Sequence, residues 1–295
     1  TPEDMLPQGG RTILITGANS GIGFESAKEL SRKGAEVIMA VRNLEKGEEA
    51  RRELKAIDPE AKIVLMVLDL SDLESVKSFA DAFKKRFSKL DVLLNNAGVM
   101  VPPYTKTKDG FELQFGVNHL GHFALTAQIF EVLKNTPGSR IVNVSSMAHK
   151  RGKINFDDLQ WEKSYNKMKA YGQSKLANLL FTYELSRRAE AAGIPVKVVA
   201  AHPGVSQTNL MRYIGAFKFL MNLMSQSSAK GALPSLYASV SPYIETADYI
   251  GPDGWMELKG NPVKVDSNEA SHDKETAKKL WEVSESLTGV KFEVK

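Results

Sequence analysis

Three tyrosines of this chain stand four residues ahead of a lysine: Tyr104 with Lys108, Tyr165 with Lys169, and Tyr171 with Lys175. On a helix that spacing puts both side chains on one face, a turn apart. A free phenol titrates near ~10. An ammonium beside it favours the phenolate and draws the group towards acid/base work at neutral pH. Spacing alone carries little weight, because chance supplies such pairs in a lysine-rich chain; position discriminates. Tyr104 follows Pro102 and Pro103 and reads as loop. Tyr171 and Lys175 share a face with Asn178, Leu179 and Thr182, continuing a long amphipathic pattern. Tyr165 lies six residues upstream of Tyr171, about 240° away around any continuous helix, and so faces elsewhere.

A second pattern concerns anions. The apolar stretch Arg11-Thr-Ile-Leu-Ile-Thr16 runs into Gly17-Ala-Asn-Ser-Gly21-Ile-Gly23 and then into a helical stretch ending at Lys33. A buried strand feeding a Gly-x-x-x-Gly-x-Gly turn and a helix is a pyrophosphate cradle. Gly17 permits the tight turn, Gly21 lets backbone amides approach the phosphates, and Gly23 lets helix and strand pack closely. The helix N-terminus presents unpaired N–H groups and partial positive charge. A Walker-type loop is excluded, since no Gly-Lys-Ser/Thr follows. Cofactor choice is read at the end of the next strand, where NAD sites usually carry a carboxylate for the ribose 2′-OH. Here the strand ends in Arg42 and Asn43, with Lys46 nearby. Arg42 can hold a 2′-phosphate through charge-assisted bonds, so NADP(H) is expected over NAD.

Elements that would position these groups alternate regularly. Apolar, β-branched runs fall at 11–16, 36–41, 62–68, 90–95, 139–144 and 196–201, with helical patterns at 22–33, 45–56, 72–88, 112–134 and 170–192. Runs apolar throughout suit strands buried on both faces. Strict alternation gives a doubly wound parallel sheet with right-handed crossovers. Gly34 and Gly193 mark helix ends, and Ser71 or Asp72 can cap the helix that begins at Leu73. The expected fold is one α/β domain, Rossmann-like, of about seven strands over residues 1–295. Two segments look added: the long connection 147–169, and 205–226, whose apolar, Met-rich run suits a lid over an apolar substrate. The competing readings of 205–226 are an ordinary core helix and a helix on a membrane surface.

Composition limits the alternatives. The chain has 295 residues, 42% hydrophobic and 25% charged, with a net charge of +4, which argues against nucleic-acid binding. The run Lys150, Arg151, Gly152, Lys153 reads as a solvated loop. There is no cysteine, excluding disulfides, thiolate metal sites and a cysteine nucleophile. No apolar run is long enough to span a membrane. These features lead to the expectation of a cytoplasmic protein. His119 and His122 could chelate a metal, but no third ligand stands near in sequence, and packing is the default reading, so no metal is expected.

The chain resembles the short-chain dehydrogenase/reductase family over about residues 11–204. The matching motifs, in the family's order, are Thr16-Gly-Ala-Asn-Ser-Gly-Ile-Gly23, Asn95-Asn-Ala-Gly98, Asn118, Ile141-Val-Asn-Val-Ser-Ser146, Tyr171-x-x-x-Lys175 and Pro203-Gly204. Asn118-His-Leu-Gly-His-Phe123, Ser174-Lys-Leu-Ala-Asn178 and the 147–169 connection are similar to the retinol-dehydrogenase-like, carbonyl-reducing branch. The tail, with Glu269-Ala-Ser271 and Leu280-Trp-Glu-Val-Ser-Glu285, also resembles light-dependent protochlorophyllide reductases.

The resemblance implies roles. Tyr171 is the general acid/base, Lys175 tunes it and binds the nicotinamide ribose, Ser146 polarises the carbonyl (Ser145 being the alternative), and Asn118 holds a water linking Lys175 to solvent. Asp69 and Leu70 would lie at the adenine, Asn95 near the adenosine ribose, and Thr208 at the nicotinamide end. Asn19, Ser20, Ile22, Ala97, Gly98, Pro203, Gly204 and Val205 complete the expected coenzyme contacts. Plainer readings are a loop carboxylate for Asp69 and strand-end hydrogen bonding for Asn95. The expected activity is hydride transfer between nicotinamide and the carbonyl or alcohol of an apolar small molecule. A non-catalytic dinucleotide sensor or scaffold is the alternative. A sugar-nucleotide epimerase would show a shorter glycine loop and a larger C-terminal domain. An added helix over 272–288 would cover a surface the family uses for tetramers, so a monomer or homodimer is expected.

Overall fold

Six short apolar runs form the parallel strands the alternation requires. They are β1 (Thr12–Thr16), β2 (Glu36–Val41), β3 (Lys62–Val67), β4 (Val92–Asn95), β5 (Arg140–Val144) and β6 (Lys197–Ala201). The computed structural model describes residues 2–205 and 226–295. All residues of β1, β4 and β5 are buried, and each Ile or Leu enclosed there contributes about 1.5–3 kcal/mol. β7 (Tyr249–Pro252) extends the sheet in parallel, and β8 (Pro262–Lys264) pairs antiparallel with β7. The order is β3-β2-β1-β4-β5-β6-β7-β8, one strand more than the sequence suggested. The extra strand is three residues at the edge beginning with proline, which is where a sheet tolerates proline. From β1 the chain winds outward to β3, then returns to lay β4 beside β1. This reversal parts the crossovers above the carboxyl ends of β1 and β4 and opens the crevice in which such sheets bind ligands.

The helices pack on both faces. α1 (Gly21–Arg32), α2 (Leu44–Ile57) and α3 (Leu73–Arg86) lie within a residue or two of expectation. Asp72, rather than Ser71, caps α3, accepting from the N–H groups of Glu74 and Ser75. The pattern at 112–134 resolves into a short α4 (Leu113–Phe115), a π-helical turn (Gly116–Leu120) and α5 (Gly121–Lys134). The π turn carries Asn118, and single π turns inside helices recur at functional sites. α6 (Lys167–Ala191) begins three residues before its expected start. α7 (Ser228–Val240), unforeseen from the sequence, packs against α1 despite an internal Pro234. α8 (Lys274–Thr288) fills the expected C-terminal position, capped by Asp273. Its Trp281 stacks on Phe292, with centroids 4.8 Å apart, and both close over Phe123. Among the described residues, no helix is long and apolar enough to cross a membrane. Apart from its first and last residues, the expected lid at 205–226 lies outside the described residues.

Candidate active site

A cleft of about 390 Å³ opens along the carboxyl ends of the parallel strands. Each strand end contributes to its wall. After β1 come Gly17 and residues 19–23; after β2, Arg42, Asn43 and Lys46; after β3, Asp69 and Leu70; after β4, Ala97 and Gly98; after β6, Pro203. α6 adds Tyr171 and Lys175. From Arg42 to the end of β5 is three inter-strand steps, roughly 14 Å at the usual strand spacing. The glycine turn has the form a phosphate cradle needs. Gly17 has φ +67°, and a Cβ at Gly23 would lie 2.4 Å from the Gly17 carbonyl oxygen, so only glycine fits the crossing. The N-terminus of α1 opens towards this wall, with Arg42 and Lys46 as cations on the far side. The donor set fits an extended, phosphate-bearing dinucleotide.

Some expected contacts have other occupations. Asn95 is 2% exposed and does not line the cleft; its amide donates to Thr126 Oγ1 and Asn143 Oδ1, the strand-end bonding of the plainer reading. Its neighbour Asn96 lines the cleft instead. Asn43 is on the wall, yet its side-chain oxygen caps α2 by accepting the Lys46 N–H at 2.9 Å. The Asp69 carboxylate accepts the N–H and hydroxyl of Ser71. Gly204 and Val205 sit beyond the wall, where the Val205 N–H donates to Leu258 O and its carbonyl accepts from the Gln226 N–H. Thr208 lies outside the described residues.

The tyrosine pairs separate as expected. Tyr165 OH donates to Pro102 O and accepts from Gln114 Nε2, each at 3.0 Å, and its ring meets Tyr104 edge-on. Those two tyrosines therefore brace the loop after β4. Tyr171 and Lys175 stand together at the cleft, with Nζ 5.7 Å from the ring centroid. In this geometry burial outweighs the expected lowering of the phenol pKa. Burial pushes Tyr171 up to about 12, against a hydrogen bond with Ser146, and burial brings Lys175 down to about 8. The ammonium donates instead to Val144 O at 3.0 Å.

Of the adjacent serines, Ser145 is the one on the cleft wall, but its hydroxyl donates to Lys175 O at 2.8 Å. Ser146 keeps its hydroxyl towards Tyr171 while accepting the Ala148 N–H at 3.2 Å. Asn118 is fully buried. Its amide clamps the backbone of Val99 in both directions, at 2.8 and 3.0 Å, and donates to Ser174 Oγ. Its Oδ1 and Lys175 Nζ flank Gly98, 3.1 and 3.7 Å from where a Cβ would stand.

Sequence reasoning missed a bracket behind Ser146. Glu257 accepts from Lys150 Nζ and from His202 Nε2, both at 2.8 Å, tying the segment after β5 to the exit of β6. The hydrogen bonds from His202 and Lys150 hold its carboxyl down at about 2. Met256 and Glu257 both have positive φ, 51° and 57°, a strained backbone that persists only where surroundings over-determine it. No local signal marks Glu257, since its partners are over 50 residues away.

Comparison with known proteins gives a consistent result. The family model described as short chain dehydrogenase matches residues 11–218. Mouse retinol dehydrogenase 12 is 43% identical over 289 residues, covering 96% of this chain and 88% of its own length. Human retinol dehydrogenase 14 is 44% identical over 303 residues, covering 95% and 87%. The crystal structure of an uncharacterised protein from Mycobacterium Paratuberculosis superposes with a TM-score of 0.85 at 44% identity, covering 99% of this chain and 98% of that one.

Proposed function

The chain belongs to the short-chain dehydrogenase family, in its retinol-dehydrogenase-like part, and from that premise we propose an NADP(H)-dependent oxidoreductase acting on a carbonyl or alcohol of an apolar small molecule. Membership makes it an oxidoreductase using a nicotinamide dinucleotide. The observation that carries the finer reading is the placing of Tyr171 and Lys175 on the same cleft as the glycine turn.

Residues 17–23 would hold the pyrophosphate and Arg42 with Lys46 the 2′-phosphate. Asp69 and Leu70 would border the adenine, and Lys175 and Pro203 the nicotinamide end. Bound there, the nicotinamide supplies or takes the hydride. The protein's own work is positional and protonic. Tyr171, with a pKa raised to about 12, is a protonated phenol at neutral pH, suited to giving its proton to a carbonyl oxygen as that oxygen gains charge. Ser146 would hydrogen-bond the same oxygen. Lys175, beside the phenol, disperses the negative charge the phenol takes on. On the family's pattern Asn118 would pass a water between Lys175 and solvent. The apolar stretch inside 205–226 and the names of the relatives point to a retinoid, steroid or lipid-derived carbonyl.

The test follows NADPH and NADH absorbance against a panel of carbonyls. NADPH-dependent turnover favouring apolar carbonyls is expected, and Tyr171→Phe should remove it by on the order of 10²–10⁴-fold while leaving coenzyme affinity unchanged. Preference for NADH, or for small charged carbonyls, overturns the corresponding part. Full activity in Tyr171→Phe rejects the mechanism. Coenzyme binding with no turnover on any substrate would favour a dinucleotide sensor or scaffold.

A further inference from the structure

A chain of buried hydrogen bonds behind the cleft has no part in the chemistry above. It starts at Thr16, the last residue of β1, whose side chain is fully buried. Thr16 Oγ1 accepts the backbone N–H of Asn96 at 3.0 Å and of Ala97 at 2.9 Å, where β4 enters the cleft. A hydroxyl oxygen has two acceptor sites and one proton. Both acceptor sites are occupied, so the proton must go to the third neighbour, His122 Nε2, 2.9 Å away. That nitrogen is therefore bare, and the ring proton sits on Nδ1. Nδ1 faces the carbonyl oxygen of Asn118 at 3.1 Å, inside the π turn. The network thus assigns the tautomer.

The surroundings keep this ring neutral. His122 is 3% exposed, and burial pulls its pKa down to about 4, with the Lys175 charge adding to the shift. Lys175 from α6 and His119 from the π turn are the titratable groups that interact with it electrostatically. A protonated ring would offer a donor at Nε2 to a hydroxyl whose acceptor sites are already filled.

We propose that His122 is a positioning residue that joins the dinucleotide cradle to the Asn118 turn. Through Thr16 it senses the ends of β1 and β4. Through the Asn118 carbonyl it sets the turn whose side chain holds Val99 and Ser174, the latter next to Lys175. The proposal rests on the oxidoreductase reading for its catalytic consequence, but the tautomer does not depend on that reading.

Two measurements test it. In the ¹⁵N-histidine-labelled protein, long-range ¹H–¹⁵N correlation at pH 7 should show a ring with protonated Nδ1 and bare Nε2. That signal should be unmoved down to pH 5 and absent in His122→Gln. An Nε2–H tautomer, or a ring titrating between pH 6 and 7, overturns the proposal whether or not the protein turns over any carbonyl. In kinetics, His122→Leu should lower kcat by about ten- to a hundredfold while coenzyme Kd stays within about threefold. His122→Gln, which keeps one acceptor and one donor, should recover part of the loss. A kcat unchanged in His122→Leu, or lost only in step with coenzyme affinity, removes the positioning role. If His122→Leu does not fold, the spectrum and the glutamine variant decide. A wild-type protein inactive on every carbonyl would reject the oxidoreductase reading and leave the tautomer result standing.

Discussion

The glycine end and the tyrosine end of the cleft are built on different principles. At the glycine end the wall is mostly backbone: the turn at residues 17–23, the start of α1, and the exit of β4 held on Thr16. At the tyrosine end the wall is fixed by side chains reaching across the fold. His149 Nδ1 donates to Ser146 O at 2.7 Å, and its Nε2 accepts from the Asn268 N–H. Glu257 joins Lys150 to His202. A backbone cradle is specified by local φ/ψ and close approach, so few substitutions change it and those that do are severe. A side-chain bracket spreads its energy over several partners, so each loss is smaller and falls on alignment.

Substitutions can break or sharpen this contrast. The largest effect is expected at Gly23. A Cβ there would overlap the Gly17 carbonyl at 2.4 Å, and overpacking of this kind costs about 1–3 kcal/mol, which if spent on binding is roughly 5- to 150-fold in affinity. Gly23→Ala should therefore weaken coenzyme binding by that factor, measured by titration, with kcat at saturation little changed. A kcat effect equal to the affinity effect would mean that the two ends are not separable.

Glu257→Ala should do the reverse. It leaves His202 and Lys150 without their shared partner, at a cost of about 1–2 kcal/mol, and lowers the melting temperature by about 2–4 °C. KM for the carbonyl should rise while coenzyme Kd holds. A shift in coenzyme Kd alone would place the bracket at the wrong end.

The smallest effect concerns pH. Burial brings the folded pKa of Lys175 down to about 8 from its ordinary 10.5, so between these values the unfolded chain binds more protons. Stability should then rise with pH across that window, the penalty being fully present below about 8. Lys175→Met removes the penalty, so the variant should be more stable than wild type in urea at pH 7 and lose that advantage towards pH 10.5, while turnover disappears. A less stable variant at pH 7 would show that the bond to Val144 outweighs the desolvation.

Legibility from sequence follows the same division. Strands β1, β2 and β4 to β6 were readable because they are enclosed on both faces and their runs are mostly apolar, and the half-buried edge strand β3 because its run is apolar too. A cap at Ser71 or Asp72 was readable because capping is local, and the structure selects Asp72. The glycine turn was readable from its place after an apolar strand, and the Tyr171/Lys175 pair from helical periodicity together with the family resemblance. What escaped depends on neighbours distant in sequence. Asn95 and Asn96 are adjacent and chemically identical, and only the pairing of β4 between β1 and β5 turns one inward and the other to the cleft. α7 was hidden by Pro234, and β8 by its brevity. The direction of the Tyr171 shift was misjudged because the one-turn spacing says nothing of how deeply the phenol is buried.

The aromatic seal at the end of the chain has a consequence for biogenesis. Phe123, Phe130 and Phe181 belong to the sheet's own helices, yet Trp281 and Phe292 form part of their cover. A ribosome that has synthesised strands β1 to β8 and both ends of the cleft still holds a polypeptide with greasy rings open to water. Until Trp281 and Phe292 emerge, those rings are open to chaperones, and a stop codon ahead of residue 274 would leave them so permanently.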